Sequence, residues 1–140
     1  MSDALVGVHR SRIEWIDTDA SGIYHNSTVT RLVEAAEARL MAERGLDGYF
    51  PVSPRVRYEV DFESPLVFGQ DVTATVRLAR IGTSSMRWEF EVWGEEHDDR
   101  PRARAAHGAY VTVHLSGPPS PGGARVSSPW PAAWVSALTA

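Results

Sequence analysis

The 140-residue chain contains no cysteine and no lysine. The first absence removes disulfides, thiolate nucleophiles and cysteine-based zinc sites together. The second, with all fourteen basic residues being arginine, excludes Schiff-base chemistry and any phosphate loop that needs a lysine. No run of about eighteen apolar residues occurs, and the stretch from Met1 to Arg10 lacks the apolar segment of a signal peptide. A cytoplasmic protein without a membrane partner is the expectation. The net charge of −4 provides no cationic field for a phosphate backbone, so no nucleic-acid partner is expected. What remains is 43% hydrophobic and 23% charged, the composition of a globular domain. Its chemistry must come from Asp, Glu, His, Ser, Thr, Tyr, Asn or backbone groups.

Hydrophobic spacing gives the elements. From Arg55 to Glu63 the alternation is strict, with Val56, Tyr58, Val60 and Phe62 on one face. Val72, Ala74, Val76 and Leu78 repeat the pattern, as do Met86, Trp88, Phe90 and Val92. A last run places Ala103, Ala105, Ala109, Val111, Val113 and Leu115 together. Short, turn-rich connections make an antiparallel meander the simplest arrangement of these four strands. Ahead of them, Val8 to Ile16 reads as one more strand. Between lies a helix opening at Asn26, Ser27 or Thr28 and stopping at Gly45, with Val29, Leu32, Val33, Ala36 and Leu40 on one stripe. A sheet apolar on one face and a helix apolar on one stripe bury each other when the sheet curls around the helix, an α+β arrangement. Residues 1–116 form this domain. Residues 117–140, which hold five of the nine prolines, read as an extended Pro/Gly-rich tail pinned by Trp130 and Trp134.

Polar groups concentrate between the first strand and the helix, in Trp15-Ile-Asp-Thr-Asp-Ala-Ser-Gly-Ile-Tyr-His-Asn26. A calcium loop fails because its twelfth position, Thr28, supplies no bidentate Glu. A phosphoaspartate site fails for want of a lysine. The remaining chemistry sets a carboxylate against a helix N-terminus, where open N–H groups bind a developing oxyanion while the Asp attacks or activates water. On spacing alone the bland reading, in which Asp17 and Asp19 only cap turns, is the better one.

The Asp17-Thr18-Asp19-Ala20-Ser21-Gly22 element, the aromatic-His-Asn run and a helix carrying Glu34 and Arg39 resemble the hotdog-fold acyl-CoA thioesterases, nearest to the 4-hydroxybenzoyl-CoA thioesterase class. The resemblance runs from about Val8 to Leu115 and includes Pro65, Gly69-Gln70-Asp71 and the Gly82-Thr-Ser-Ser85 turn. It implies an antiparallel sheet wrapped around one long central helix, and a hydrolase of acyl thioesters of coenzyme A or an acyl carrier protein. It implies Asp19 as nucleophile or general base, the Asn26 amide as carbonyl-polarising donor, and Gly22, Ile23, Tyr24 and His25 along the substrate approach. It further implies no metal, no cofactor beyond the substrate's own coenzyme A, and a homodimer or homotetramer with active sites between subunits. Two positions depart from the family. Trp15 stands where several members carry Tyr, and His25 sits one residue earlier than the His of many relatives.

Other polar residues read as structural. Glu95 to Asp99 form a solvated hairpin tip, and His107 and His114, seven apart on a strand, face opposite sides. The Gly-x-Ser-x-Gly elbow is missing around Ser84 and Ser85. Two alternatives belong beside hydrolysis: a hotdog-type hydratase or dehydratase using His25 with Asp19, and a non-catalytic acyl-CoA or carrier-protein binder.

Overall fold

A computed structural model of the chain describes residues 5–46, 48–117 and 126–139. Five strands, β1 (Val6–Arg12), β2 (Arg55–Phe62), β3 (Asp71–Ile81), β4 (Ser85–Gly94) and β5 (Ala103–Val113), make one antiparallel sheet in the order β1-β3-β4-β5-β2. Only β3, β4 and β5 form a meander. β2 pairs with β5 at the far edge and not with its chain neighbour β3, which corrects the four-strand meander. The eight residues between Phe62 and Asp71, with Pro65 among them, are too many for a tight hairpin and carry the chain across the end of the sheet.

Helix α1 (Asn26–Glu43) lies on one face of this sheet. Its predicted stripe is buried throughout: Val29, Leu32, Val33 and Ala36 are fully covered and Leu40 nearly so. Each such Leu or Val contributes about 1.5–3 kcal/mol of burial. Opposite stand Ala74, Val76, Trp88 and Val92, all with no exposure. Close approach to β1 depends on Gly7, where a Cβ would come within 2.5 Å of the Ala36 carbonyl oxygen. The helix ends in a Schellman pair, the Gly45 N–H bonding to Ala42 and the Leu46 N–H to Met41. Its N-cap is His25, one residue earlier than expected and without a side-chain cap.

Two strands differ from their sequence reading. β1 stops at Arg12, and Trp15–Asp17 form a 3₁₀ turn in place of a strand running on to Ile16. In β5 the residues opposite the core-facing Val92, Phe90, Trp88 and Met86 are Ala106, Gly108, Tyr110 and Thr112, and of the expected odd-numbered set within the strand only Ala105, beside an irregularity in the register, joins the core. A Cβ on Gly108 would meet the Phe90 ring at 2.7 Å, and Tyr110 and Thr112 are buried. The cause is chemical: alanine fits either face, while the apolar ring of Tyr110 carries a hydroxyl that marks it as polar in a simple alternation. The described end of the tail also differs from an extended segment. Residues Ala132–Thr139 form helix α2, with Leu138 in the core and Trp130 stacked on Tyr49 at 5.9 Å. Most of the Pro/Gly-rich stretch, residues 118–125, lies outside the described residues.

Candidate active site

The segment from Asp17 to His25 folds back on itself as a small hairpin. Its rungs are the His25 N–H to the Asp17 carbonyl at 2.8 Å, a bridge between Thr18 and Tyr24, and the Asp19 N–H to the Ile23 carbonyl at 2.9 Å. Gly22, at φ +85°, makes the reversal possible, and its N–H returns to the Asp19 carbonyl. The hairpin is stitched to the sheet end through the Tyr24 N–H to Leu66 and a bridge between Ile23 and Val67. Alternation across the ladder turns Thr18 and Tyr24 inward and leaves Asp19 and Ile23 exposed.

The two carboxylates therefore part company. Asp17 is 4% exposed. It accepts from the Glu14 N–H at 2.9 Å and from Arg31 Nη2 at 2.6 Å, while its carbonyl also receives the Thr28 hydroxyl. Asp17 thus ties the hairpin to the first turns of α1. Asp19 is open to solvent in the single chain, where the sequence reading sets it against the helix start. The carboxylate bonded to the helix is Asp17. Asp19 accepts from both the hydroxyl and the N–H of Ser21. These two bonds hold it below the usual carboxylate range, with a smaller pull from the nearby His25.

The other expected residues divide in the same way. His25 and Asn26 are exposed at the opening of α1. Thr28 returns its N–H to the His25 carbonyl, whereas no intrachain acceptor among the described residues takes the Asn26 or Ser27 N–H. Gly22 and Ile23 are exposed. Tyr24 is not: its ring is buried against Phe62, and burial pushes its hydroxyl up to about 12. It supports the hairpin from below, whereas the resemblance sets it along the substrate approach.

A buried charge escapes the sequence reading. Glu37 has no exposure and pairs with Arg55 of β2, beside Tyr49 and Tyr110. Burial lifts its carboxyl above the ordinary Glu range, and the Arg55 charge opposes that lift. The signal is present in the sequence, because Glu37 lies four residues from Val33 and from Met41 on the apolar stripe.

Comparison with known proteins places this arrangement. The family model described as the thioesterase superfamily matches residues 21–100. Among solved structures, a thioesterase from Thermus thermophilus complexed with coenzyme A and zinc is 26% identical. It covers 99% of this chain and 94% of its own, with a TM-score of 0.80. A 4-hydroxybenzoyl CoA thioesterase variant complexed with 4-hydroxybenzoyl CoA reaches 0.82 at 15% identity, covering 96% and 99%. A 1,4-dihydroxy-2-naphthoyl-CoA thioesterase from Synechocystis reaches 0.78 at 16%, covering 95% of each chain. No curated protein matches the chain in sequence. The matched stretch spans more than half of the residues, and the five-stranded antiparallel sheet packs one face on α1; this chain belongs to the thioesterase superfamily and has the α+β hotdog fold.

Proposed function

We propose that this chain hydrolyses acyl thioesters carried on coenzyme A or an acyl carrier protein, with Asp19 as the reacting carboxylate. The observation that carries the reading is the hairpin that runs from Asp19 straight into a helix start with open Asn26 and Ser27 amides. In acyl transfer the Asn26 N–H receives the carbonyl oxygen as charge develops on it, aided by the positive end of the α1 dipole. Asp19 then acts in one of two ways. As a nucleophile its oxygen bonds the carbonyl carbon, the carbon–sulfur bond breaks and the thiolate takes a proton. Water next cleaves the mixed anhydride, releasing the acid and restoring Asp19. As a base it takes a proton from the attacking water instead. Both roles need an ionised carboxylate, which the Ser21 bonds supply.

Exposure of Asp19 in the single chain is met by a second copy. β2 is an edge strand with a free hydrogen-bonding side, and its Val56 and Phe62 are 59% and 43% exposed. Edge-to-edge pairing of two such strands covers these residues and closes a wall beside the hairpin. No metal or further cofactor enters this reading.

The decisive measurement is thiol release from a series of acyl-CoAs by the native chain and by Asp19→Asn. The substitution keeps shape and removes both nucleophile and base, so kcat should fall by about 10²- to 10⁴-fold with the fold intact. Hydrolysis at the native rate by this variant refutes the role of Asp19. Binding of acyl-CoA without any thiol release by the native chain would make it a binder, and hydration of an enoyl thioester without thiol release a hydratase.

A further inference from the structure

The Gly69-Gln70-Asp71 stretch that leads into β3 carries a buried amide. Gln70 is only 3% exposed. Its side-chain oxygen accepts the Val67 N–H at 3.1 Å, and its side-chain nitrogen donates to the Glu95 carbonyl, just past β4, at 2.9 Å. Buried polar groups are stable where they are paired, so these two bonds hold the side chain in one place. Room for it comes from Gly94, where a Cβ would stand 2.6 Å from the Gln70 amide nitrogen and 2.7 Å from Leu66. The Gln70 backbone N–H bonds back to the Val67 carbonyl at 3.1 Å, closing a turn over residues 67–70 with Gly69 at φ +87°. One residue thus fastens this turn twice, by main chain and by side chain, and pins it to the end of β4.

The Asp19 hairpin is docked on this turn. Leu66 accepts the Tyr24 N–H at 3.0 Å and Val67 bridges Ile23, whose carbonyl accepts the Asp19 N–H at 2.9 Å. The start of the same segment is tied there as well: the Ile13 N–H donates to the Gln70 carbonyl and the Ile13 carbonyl accepts the Gly69 N–H, each at 2.8 Å. Trp15 and Phe68 cross edge to face, 5.8 Å apart between ring centroids. A path therefore runs from the Gln70 amide through Val67 and Ile23 to the Asp19 backbone. Asp19 is exposed and its side chain is held by Ser21 of the same hairpin, so the backbone of that hairpin decides where the carboxylate stands.

We propose that Gln70 is a positioning residue for the reacting carboxylate: its side chain fixes the 67–70 turn, and the turn fixes Asp19 beside the open Asn26 amide. Gln70 acts through Val67 and Ile23 and not on the substrate. Misplacing a reacting group by about 1 Å can cost about 10²-fold in rate, which is the scale on which such support acts. This role rests on the reading of Asp19 as the reacting group.

The test on the full chain is Gln70→Met, which keeps volume and removes both side-chain bonds, with Gln70→Glu as the milder change that keeps an oxygen for the Val67 N–H. For an acyl-CoA that the native chain hydrolyses, Gln70→Met should lower kcat by about 10- to 100-fold with KM near native. Gln70→Glu should fall between that variant and the native chain. In an Asp19→Asn background the same Gln70→Met change should cost nothing further, because the group being positioned is already gone. Leu138→Ala, a core loss in α2, should lower Tm and leave kcat native. Amide exchange followed by NMR should quicken about tenfold or more at Asp19 and Tyr24 in Gln70→Met, and stay native in the middle of β4. Native kcat in Gln70→Met, native exchange at the hairpin, or an equal further loss in the Asp19→Asn background each overturns the role. If Gln70→Met does not fold, Gln70→Glu decides by the same readings. If the native chain releases no thiol from any acyl-CoA, the thioesterase reading fails, and exchange at Asp19 and Tyr24 still decides whether Gln70 holds the hairpin.

Discussion

Asp17 and Asp19 stand two positions apart and meet opposite conditions: one is buried under an arginine, the other faces solvent on a serine. Spacing makes both turn residues, and that much is legible from sequence, as is the glycine that reverses the chain at Gly22. Spacing does not say which carboxylate is structural, because the answer depends on Arg31, fourteen residues further on in α1. The same distinction carries a pH prediction. Ser21 keeps the Asp19 pKa below the usual carboxylate range, so the acid limb of kcat/KM should lie correspondingly low. Ser21→Ala removes the hydroxyl bond and should move that limb upward in pH while leaving the plateau near neutrality largely intact. A limb that stays in place in pH–rate profiles of the variant would assign it to another group.

At the scale of the element, α1 shows where amphipathic patterning succeeds and where it is silent. Five apolar positions follow from spacing and all are covered, because burial of such side chains is what holds the helix on the sheet. Glu37 occupies the same stripe and spacing passes over it, since a carboxylate enters a core only when a partner waits there. Its partner, Arg55, comes from a different element. The β5 register misleads for a related reason, with hydroxyl-bearing Tyr110 and Thr112 turned inward beside Tyr49 and Glu37. Burial gives Glu37 a raised pKa in the folded chain, so between the unfolded and folded values the native state holds a proton that the unfolded chain has released. The associated stability is full below the unfolded value and is lost as pH rises through the folded one. Glu37→Gln should therefore flatten the decline of Tm with rising pH over the range just above the ordinary Glu value. Glu37→Ala should cost about 3–5 kcal/mol by leaving Arg55 with only the exposed Glu34 as its partner, as chemical denaturation would read. An unaltered Tm–pH curve in the Gln variant would show that Glu37 is not the group titrating there.

For the molecule as a whole, the sequence order of strand, helix and four strands is enough to specify a sheet curled on a helix. It is not enough to place β2, because non-local pairing depends on which edge is left open once the meander has formed. That placement decides the assembly. With β2 outermost and Val56 and Phe62 uncovered, the proposed edge-to-edge dimer predicts that Val56→Arg with Phe62→Arg converts the chain to monomers in sedimentation and lowers thioester turnover with them. A native chain that sediments as a monomer at full activity would rule this pairing out. At the other end of the domain, Trp130 lies on Tyr49, its backbone N–H bonds to the Thr83 carbonyl, and Leu138 reaches the interior. The last residues of the chain act as a stopper over the Tyr49 ring, which in turn shields the Glu37 carboxylate. Cutting the chain ahead of Pro129 would uncover that ring and bring water nearer to Glu37, so part of the burial that raises its carboxyl would be lost with the C-terminal segment.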